Sequence, residues 1–566
     1  MKASSVILDA LKDIDNTGTL EAEKKMTLHA GQDIRMTTGT HREENGQGHT
    51  TAISKRGAAS VTGKEGSLTM TAGKDIHLQA ARISSAGDMT IAGKRQVELG
   101  TAVAEKDNRV TWDRRDSTAM ETGSTLTAER NLTLLAGEDL SMTAAHVQAG
   151  KAAIIEAGRH ITEKAGKNTV EMEEHHRHKE KGLLSSKTTT TYDEAKRTDT
   201  TGSIVEGDTL TMTAGKDITL KGSAAVSTEK TTLLSGNNIS IDAAETENRE
   251  IHRKQVKKSG LFGSGLGFTI GSEKTKDSYD MEETTQTGST AGSVKGNVTI
   301  TAGNETDIRA SDIIAGQDSL IAGKNVTIES KDNTYRGKEE HEYKKSGLTV
   351  SLGGAAVNAA RTVAAPVKRA GEVGDGRLKA LYALQAGMNA RDIQKDQKTD
   401  KAINKNNAVG INISLGSTGW KDHAETVTEE ARGSRITAGR TAAIIAKEDM
   451  TVKGSIVNAK DILLKAGNNI HILSCENKST TIEDYKAKSG SIGASLSKGG
   501  YGIGASYGKG KGQIEETTIT HTPSDITAKN TVALSSGNDT VIRGGTVRGN
   551  KVTANAGRMS IESEQD

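Results

Sequence analysis

The chain has 566 residues, with 75 Lys and Arg against 73 Asp and Glu, and therefore a formal net charge of only +2. This near-balance argues against a dedicated nucleic-acid-binding protein, which usually carries a basic excess on one face. The single cysteine, Cys475, excludes an internal disulfide framework, and no stretch approaches the roughly 20 apolar residues of a membrane-spanning helix. Aromatic residues make up only 2%, so the core must be built from small aliphatic side chains.

A short phrase recurs along the chain, as in LTMTAGKDIHL at 68–78 and LTMTAGKDITL at 210–220. Its glycines fall in pairs 20 or 21 residues apart, and Lys447 takes the glycine position in one pair. A repeat of this length is one coil, which cannot bury its apolar face alone, whereas stacked coils bury a continuous core. The predicted coil-turn residues are Gly31, Gly73, Gly93, Gly137, Gly158, Gly215, Gly236, Gly303, Gly323, Gly467, Gly537 and Gly557.

Each copy of the phrase predicts two short strands around a turn. Leu210, Met212 and Ala214 alternate with Thr211 and Thr213, which is the period of a half-buried strand. We therefore predict an all-β fold, a right-handed parallel β-helix of ~20-residue coils, with the handedness taken from the general preference for right-handed crossovers. If roughly 20 coils are present, stacking at about 4.8 Å gives a rod on the order of 90–100 Å long. A β-sandwich array is the alternative, but it would need longer repeats and larger core residues.

Polar, charged insertions interrupt the repeats. A charged leader comes first, then a Gly-rich stretch, then a Thr- and acid-rich return that often ends in Gly-Ser, so each insertion predicts a hairpin that projects from the rod of coils. The predicted organisation is coils with hairpins over 1–330, a long insertion over 331–432, and coils with a last hairpin over 433–566. The insertions run over about 41–55, 105–121, 163–201, 245–287, 331–432 and 477–523.

The Gly-rich tips of the later insertions alternate apolar residues with small or polar ones. KKSGLFGSGLGFTIGS and KGGYGIGASYGKG are two examples, and both are flanked by lysine. Such alternation resembles that of strands in outer-membrane proteins, which suggests membrane contact. The alternative is a hairpin whose apolar face packs on the β-helix. The candidate membrane-contact residues are Leu266, Phe268, Ile270, Leu348, Val350, Leu352, Ile411, Ile413, Leu415, Tyr501, Ile503 and Tyr507.

The fifth insertion contains a different pattern. Over 377–393, Leu378, Leu381, Tyr382, Gln385 and Met388 follow helical spacing, which predicts one short helix. This helix could pack on the rod, or it could contact a membrane surface or a partner.

No catalytic, cofactor or metal site is predicted. His175, His176 and His178 could bind a metal by residue type, but they lie in a charged leader with no second ligand group at a defined spacing. Asp75 and Asp217 recur with the repeat, and turn formation explains them. A polysaccharide-cleaving β-helix enzyme is an alternative, and it would need a cleft with clustered acids on neighbouring coils.

The coil phrase LTMTAGKDI, the insertion KKSGLFGSGLGFTIGS and the helical ALYALQAG together resemble one known family. They are similar to the haemagglutinin-repeat region of filamentous haemagglutinin-type two-partner secretion exoproteins. The likeness is strongest to the second such region of contact-dependent growth-inhibition effectors of the CdiA type. It covers nearly the whole chain.

The resemblance implies a secreted or cell-surface protein that is exported through an outer-membrane transporter partner. It also implies a secretion domain upstream, a toxin downstream, and a target-cell membrane or receptor as partner. Because the chain shows no signal peptide, we expect an internal fragment or the product of a split gene. The expected function is a non-enzymatic β-helical stalk that supports delivery of a C-terminal toxin across a target cell's outer membrane. An adhesin or filament segment is the first alternative, and the polysaccharide-acting enzyme is the second.

Overall fold

A computed structural model describes residues 1–182, 185–263, 268–353, 410–497 and 500–564. Within these ranges the protein is all-β, as predicted, and its strands are not accompanied by any helix. No helix in these ranges is therefore long and apolar enough to cross a membrane. The helix predicted over 377–393 lies outside the described residues.

The described strands are short in the coils and long in the insertions. In chain order, the first half of them is β1 (Lys2–Ala10), β2 (Ile14–Asn16), β3 (Thr19–Ala30), β4 (Ile34–Thr37), β5 (Gly39–Asn45), β6 (Gly48–Lys55), β7 (Ala58–Val61), β8 (Ser67–Ala72), β9 (Ile76–Gln79), β10 (Arg82–Ser85), β11 (Asp88–Gly93), β12 (Gln96–Gly100), β13 (Ala102–Thr111), β14 (Arg114–Thr122), β15 (Thr125–Ala128), β16 (Leu132–Ala136), β17 (Asp139–Thr143), β18 (His146–Ala149), β19 (Ala152–Ala157), β20 (His160–Lys164), β21 (Gly166–Lys181), β22 (Ser185–Thr201), β23 (Ile204–Ala214) and β24 (Asp217–Lys221).

The remaining strands follow the same order of coil strands and insertion strands. They are β25 (Ala224–Ser235), β26 (Ile239–Asp242), β27 (Ala244–Gly263), β28 (Phe268–Thr287), β29 (Thr290–Ser293), β30 (Asn297–Ala302), β31 (Glu305–Arg309), β32 (Asp312–Ala315), β33 (Ser319–Gly323), β34 (Asn325–Glu329), β35 (Lys331–Gly353), β36 (Gly410–Arg432), β37 (Arg435–Ala438), β38 (Thr441–Ala446), β39 (Met450–Lys453), β40 (Ile456–Ala466), β41 (Ile470–Leu473), β42 (Cys475–Ser497), β43 (Gly500–Thr522), β44 (Asp525–Ser536), β45 (Asp539–Arg543), β46 (Thr546–Arg548), β47 (Lys551–Asn555) and β48 (Arg558–Glu562).

These strands form three sheets. Two sheets, of 22 and 14 strands, consist of parallel pairs in which each coil lies on the one before it, and together they form the rod. The third sheet has 12 antiparallel strands, which are the arms of six insertion hairpins. We call this third sheet the hairpin sheet.

Along the coil strands, buried core residues alternate with residues that are partly exposed at the surface. Leu210, Met212 and Ala214 are buried, whereas Thr211 and Thr213 are only half-buried. The 14-stranded sheet contributes one strand per coil, so the described residues make 14 coils rather than the roughly 20 predicted from the repeat. The estimate was too high because the hairpins use many residues. At about 4.8 Å per coil the rod is on the order of 60 Å long.

A column made mostly of glycines runs up the rod, each close to the backbone of the preceding coil. A Cβ added at Gly215 would lie 2.1 Å from the backbone oxygen of Gly158 in the preceding coil, so a side chain at Gly215 would require the backbone to shift. Gly93 and Gly323 instead pair with Ala72 and Ala446, one position earlier in the repeat. The glycines with an equivalent contact of 1.9–2.2 Å are Gly31, Gly73, Gly137, Gly158, Gly215, Gly236, Gly303, Gly467 and Gly537; at Gly557 the contact is 3.0 Å.

The hairpins leave the rod at one corner, after every second strand of the 14-stranded sheet. At the intervening coils the chain instead makes a tight corner through a residue with positive φ. The φ angles there lie between 45° and 61°, in the left-handed region that favours glycine. These corner residues are Ala80, Ala144, Gly222, Ala310, Gly454 and Gly544.

Buried serines close the corner where hairpins return to the rod. Ser434 Oγ donates a hydrogen bond to the Glu329 carbonyl at 2.8 Å and accepts one from the Ser311 amide at 3.3 Å. These bonds satisfy backbone groups that the interrupted coil would otherwise leave unpaired. The serines at this position after five of the hairpins are Ser124, Ser203, Ser289, Ser434 and Ser524, and all are buried.

One carboxyl group lies inside the apolar core. Glu163 pairs in register between Met142 and Leu220, and it is fully buried. Neither of its carboxyl oxygens has a hydrogen-bond partner among the described residues. Burial raises the pKa of Glu163 well above its usual range, because the apolar surroundings disfavour the charged form.

The positive φ of 48° at Ala144 predicts that Ala144→Gly stabilises the rod. Glycine removes the steric cost of the left-handed conformation, and part of this gain is offset by its greater freedom in the unfolded chain. We expect the free energy of unfolding to rise by up to about 1 kcal/mol, measured by chemical denaturation. The control Ala149→Gly, at the buried last residue of β18, should lower it. A fall in both variants would contradict this view of the corner.

The buried carboxyl predicts a pH-dependent effect of Glu163→Gln. Between the unfolded pKa of about 4.3 and the raised folded pKa, the folded protein holds the Glu163 proton more tightly than the unfolded chain does. Glu163 therefore costs the wild type stability as the pH rises through this window. The stability of Glu163→Gln relative to wild type should increase with pH in thermal unfolding. The exposed control Glu156→Gln should show no such trend, and a flat difference for Glu163→Gln would refute the assignment.

Candidate membrane-contact site on the hairpin sheet

The hairpins lengthen along the chain. The arms of the first hairpin have 7 and 8 residues, and those of the fifth and sixth have 23 each. The hairpin sheet therefore extends farthest from the rod at its C-terminal half, where β27, β28, β35, β36, β42 and β43 are neighbours. The Gly-rich runs singled out in the sequence form the distal part of these six strands.

The strand register aligns the apolar residues of these runs in three rows across the sheet. Directly opposed residues of antiparallel strands lie on the same face, and so do residues two apart in one strand. The first apolar row is Leu261, Ile270, Leu348, Leu415, Ile492 and Ala505. The second apolar row is Val350, Ile413, Ala494 and Ile503, and the third is Leu352, Ile411, Leu496 and Tyr501.

The opposite face of the same strands carries small and polar residues. Ser351, Asn412, Ser495 and Gly502 form one such row between the second and third apolar rows. From β28 to β43 the register thus gives the distal sheet one face of apolar positions and one face of Gly, Ser, Thr and Asn. In β27, Phe262 falls at a position of the second face. The alternation in the sequence predicts an apolar and a polar face within each strand. The register between strands aligns these faces across the sheet.

Where side chains are described, the apolar face is open to solvent. Leu415 is 55% exposed and its cross-strand neighbour Ile492 is 64% exposed. Tyr507, one row closer to the rod on the same face, is 95% exposed. The hairpin sheet shares no strand pairing with the coils in the described part of the chain. Leu415, Ile492 and Tyr507 are therefore exposed side chains on the apolar face.

Most of the predicted contact residues lie in these rows. Leu266 lies outside the described residues, and Phe268 pairs with Gly263 near the tip of the fourth hairpin. Sequence reasoning missed Ile492, Ala494 and Leu496. The signal was present, because SGSIGASLS at 489–497 continues the same alternation. The other predicted residues in the strands are Ile270, Leu348, Val350, Leu352, Ile411, Ile413, Leu415, Tyr501, Ile503 and Tyr507.

Aromatic and ionic pairs join the strands nearer the rod. The rings of Tyr343 and Trp420 lie 5.6 Å apart between their centroids, across the β35–β36 pair. Closer to the rod, Arg336 Nη2 and Glu425 Oε1 are 2.6 Å apart. The hydrogen bond from Arg336 lowers the pKa of Glu425. These contacts hold the middle of the hairpin sheet together and so position its distal rows.

His176 and His178 of the histidine cluster take part in local ion pairs, within β21 and with the turn between β13 and β14. His176 Nδ1 lies 2.5 Å from Asp113 Oδ2 and also contacts Glu174. The hydrogen bond to Glu174 is the main cause that raises the pKa of His176. In the parts of the chain that the structure describes, no three His, Cys, Asp or Glu side chains group as a metal site.

Stacked parallel coils with a projecting sheet define an elongated repeat protein. Comparison with known families gives the same class, because the hemagglutinin repeat family matches residues 107–189, 182–347, 270–378 and 415–566. These matches cover well over half of the chain. The chain therefore belongs to the hemagglutinin repeat family.

Several curated proteins are similar to the chain over most of its length. A "tRNA nuclease CdiA" of Escherichia coli strain STEC_O31 is 30% identical over 99% of this chain and 18% of its own. A "Deoxyribonuclease CdiA" of Dickeya dadantii strain 3937 is 31% identical over 98% of this chain and 18% of its own. A "tRNA nuclease CdiA" of E. coli O6:K15:H31 strain 536 is 32% identical over 68% and 12%. The chain thus spans less than a fifth of these relatives, and no solved structure matches it.

Proposed function

We propose that the chain is a non-enzymatic stalk segment of a larger CdiA-like exoprotein. In this proposal the coils form a right-handed parallel β-helix, and the hairpin sheet supports delivery of a C-terminal toxin across a target cell's outer membrane. The apolar rows are the surface that contacts the membrane. The coils over 1–330 and 433–566 carry the hairpins, and 331–432 is the longest excursion from the rod.

The exposed, register-aligned apolar face carries this proposal. Leu415 and Ile492 stand side by side in solvent, although burying a side chain of this size is worth about 1.5–3 kcal/mol. Contiguous exposed apolar surface of this kind marks an interaction site. The first and third apolar rows are about 13 Å apart along the strands, which is less than a full crossing of a bilayer requires. The rows therefore suit insertion into one side of a membrane.

The relatives support a role separate from the nuclease chemistry in their names. The tRNA nuclease of E. coli strain STEC_O31 and the deoxyribonuclease of D. dadantii both match nearly all of this chain. Proteins with different named activities thus share this segment. A shared delivery or stalk function accounts for that, with the toxin lying elsewhere in the exoprotein.

The family also supports the wider setting that we propose. The chain acts as part of a secreted, cell-surface protein, with a secretion domain upstream, a toxin downstream and an outer-membrane transporter as export partner. A receptor or the target-cell membrane is the partner at the distal end. An adhesin or filament segment is the second candidate, favoured by the length of the rod, since a solenoid offers extended surfaces for binding.

Membrane contact predicts that the purified chain floats with lipid vesicles. Leu415→Asp/Ile492→Asp places two charges in the first apolar row, and we expect it to weaken vesicle binding at least tenfold, because charged groups enter a membrane at high cost. Vesicle flotation gives the affinity, and far-UV circular dichroism tests whether the β-structure survives.

The matched control is Ile514→Asp/Ile519→Asp, which changes two exposed apolar residues in the rod-proximal part of β43. This control should bind vesicles like the wild type. If wild type and both variants bind equally, or if none binds, the apolar rows do not contact membrane, and an adhesive or spacer rod becomes the better proposal.

A further inference from the structure

Two rows of lysine cross the hairpin sheet on the same face as the apolar rows. They lie four and six residues nearer the rod than the first apolar row. The first lysine row is Lys257, Lys274, Lys344, Gly419, Lys488 and Lys509. The second lysine row is Gln255, Lys276, Glu342, Lys421, Lys486 and Lys511.

This arrangement is unfavourable for the sheet itself. Lys274 stands directly between Lys257 and Lys344, and Lys486 stands between Lys421 and Lys511. Like charges directly opposite each other on neighbouring strands destabilise a sheet. All of these lysines are exposed except Lys274, which is half-buried. Folding does not explain such rows, so they indicate an anionic partner.

Counter-charge on this face is limited to one residue in these two rows. Glu342 lies among the lysines, with an oxygen 3.2 Å from Lys344 Nζ. The hydrogen bond from Lys344, with Lys274 and Lys276 nearby, lowers the pKa of Glu342, so this carboxylate stays charged. One carboxylate cannot neutralise the surrounding ammonium groups. The face therefore keeps a strong local positive excess, although the whole chain is close to neutral.

The excess is largest at this level and on this face, since the corresponding row of the opposite face has only Lys258 and Lys345 beside Glu273. One row nearer the rod, Arg253 is accompanied by Glu340 and Asp484, and His423 lies 3.7 Å from Glu340. On the opposite face at the lysine level, Lys258 is paired with Glu273 at 3.0 Å. The lysine rows are thus a discrete band between the apolar tip and a charge-balanced base.

The band is also concave. A groove of about 390 Å³ opens among strands β22 to β36 and is lined in part by Lys276, Glu342 and Lys421. A second groove of about 390 Å³ continues across Lys421, Lys486 and Lys511. Polar headgroups could enter these grooves beside the ammonium groups.

The distance between the apolar rows and the lysine rows suits the surface of a lipid bilayer. About 13 Å of strand separates the first apolar row from the first lysine row, and lysine stems can extend several ångströms toward the tip. The headgroup layer is roughly 5–7 Å thick on each side of a bilayer. Between the first apolar row and the first lysine row, the hydroxyl oxygens of Ser272 and Ser346 are hydrogen-bonded to each other at 3.0 Å. Apolar rows in the hydrocarbon boundary would thus place the lysines at the phosphates.

We propose that the lysine rows bind the phosphate groups of anionic lipid headgroups and make membrane contact selective for anionic surfaces. This inference rests on the proposed membrane contact and adds the chemistry that it recognises. A nucleic acid would also attract lysine, but it gives no role to the apolar rows on the same face. The lipid surface uses both.

The test compares the full chain with Lys257→Gln/Lys274→Gln/Lys344→Gln/Lys488→Gln. The probes are vesicles of phosphatidylcholine alone and of phosphatidylcholine mixed with phosphatidylglycerol. We expect wild type to bind the mixed vesicles roughly 100-fold more tightly, and added salt to weaken that preference. The variant should bind both kinds of vesicle with the affinity that the wild type has for phosphatidylcholine alone. The change removes like-charge repulsion, so circular dichroism should show an intact fold.

A control with the same change in net charge alters four exposed lysines of the coils: Lys12, Lys64, Lys151 and Lys460. This control should keep the wild-type preference. A control that behaves like the lysine-row variant would overturn the proposal, because net charge alone would then explain binding. Inorganic pyrophosphate at matched phosphate concentration should compete weakly; strong competition would indicate a site for soluble phosphates and overturn the assignment to a lipid surface.

Failure of this inference can be distinguished from failure of the proposed function. Equal wild-type binding to both vesicles, abolished by Leu415→Asp/Ile492→Asp, would overturn the lysine proposal and leave membrane contact standing. Lysine-dependent binding that survives Leu415→Asp/Ile492→Asp would support the lysine rows but contradict insertion of the apolar rows. Tighter lysine-dependent binding to duplex DNA than to mixed vesicles would overturn the lipid assignment.

Discussion

The two strands of each hairpin occupy the same height along the rod as two coils, because both kinds of strand are spaced about 4.8 Å apart. Hairpins leave the rod after every second coil, so each hairpin begins where the previous one ends. Neighbouring hairpins can then pair with each other through backbone hydrogen bonds. The 12-stranded hairpin sheet follows from this match in spacing. A hairpin at every coil would crowd its neighbours, and one at every third coil would leave unpaired edges.

The corner chemistry maintains this alternation. Where no hairpin leaves, a left-handed residue such as Ala144 or Gly222 turns the chain tightly into the next coil. Where a hairpin returns, a buried serine such as Ser203 or Ser434 satisfies the interrupted backbone. The coils therefore carry two kinds of corner in turn. Because the corners fix the base of each hairpin, they also fix the register in which distant tips meet.

Local patterns in the sequence were enough for the coils but not for the hairpin sheet. The alternation of Leu210 and Met212 with Thr211 depends on one strand, and it predicted the buried face correctly. Pairing between Leu415 and Ile492 joins two different hairpins, separated in sequence by two coils, so no single run of residues reveals it. The lysine rows could not be predicted from the sequence for the same reason. Each run contributes only one or two lysines, and the near-zero net charge of the chain conceals their convergence.

Protection of the sheet edge is a competing explanation for some of the lysines. The order of strands in the sheet shows which lysines it can explain. Strand β43 is an edge of the hairpin sheet, and lysines on an edge strand discourage pairing with another chain. This accounts for Lys509 and Lys511. It does not account for Lys344 and Lys421, because β35 and β36 are paired on both sides. Lysines there gain nothing from protecting an edge, and each faces a like charge on one neighbouring strand, Lys274 for Lys344 and Lys486 for Lys421. Their presence in interior strands is therefore the part of the pattern that calls for an anionic surface.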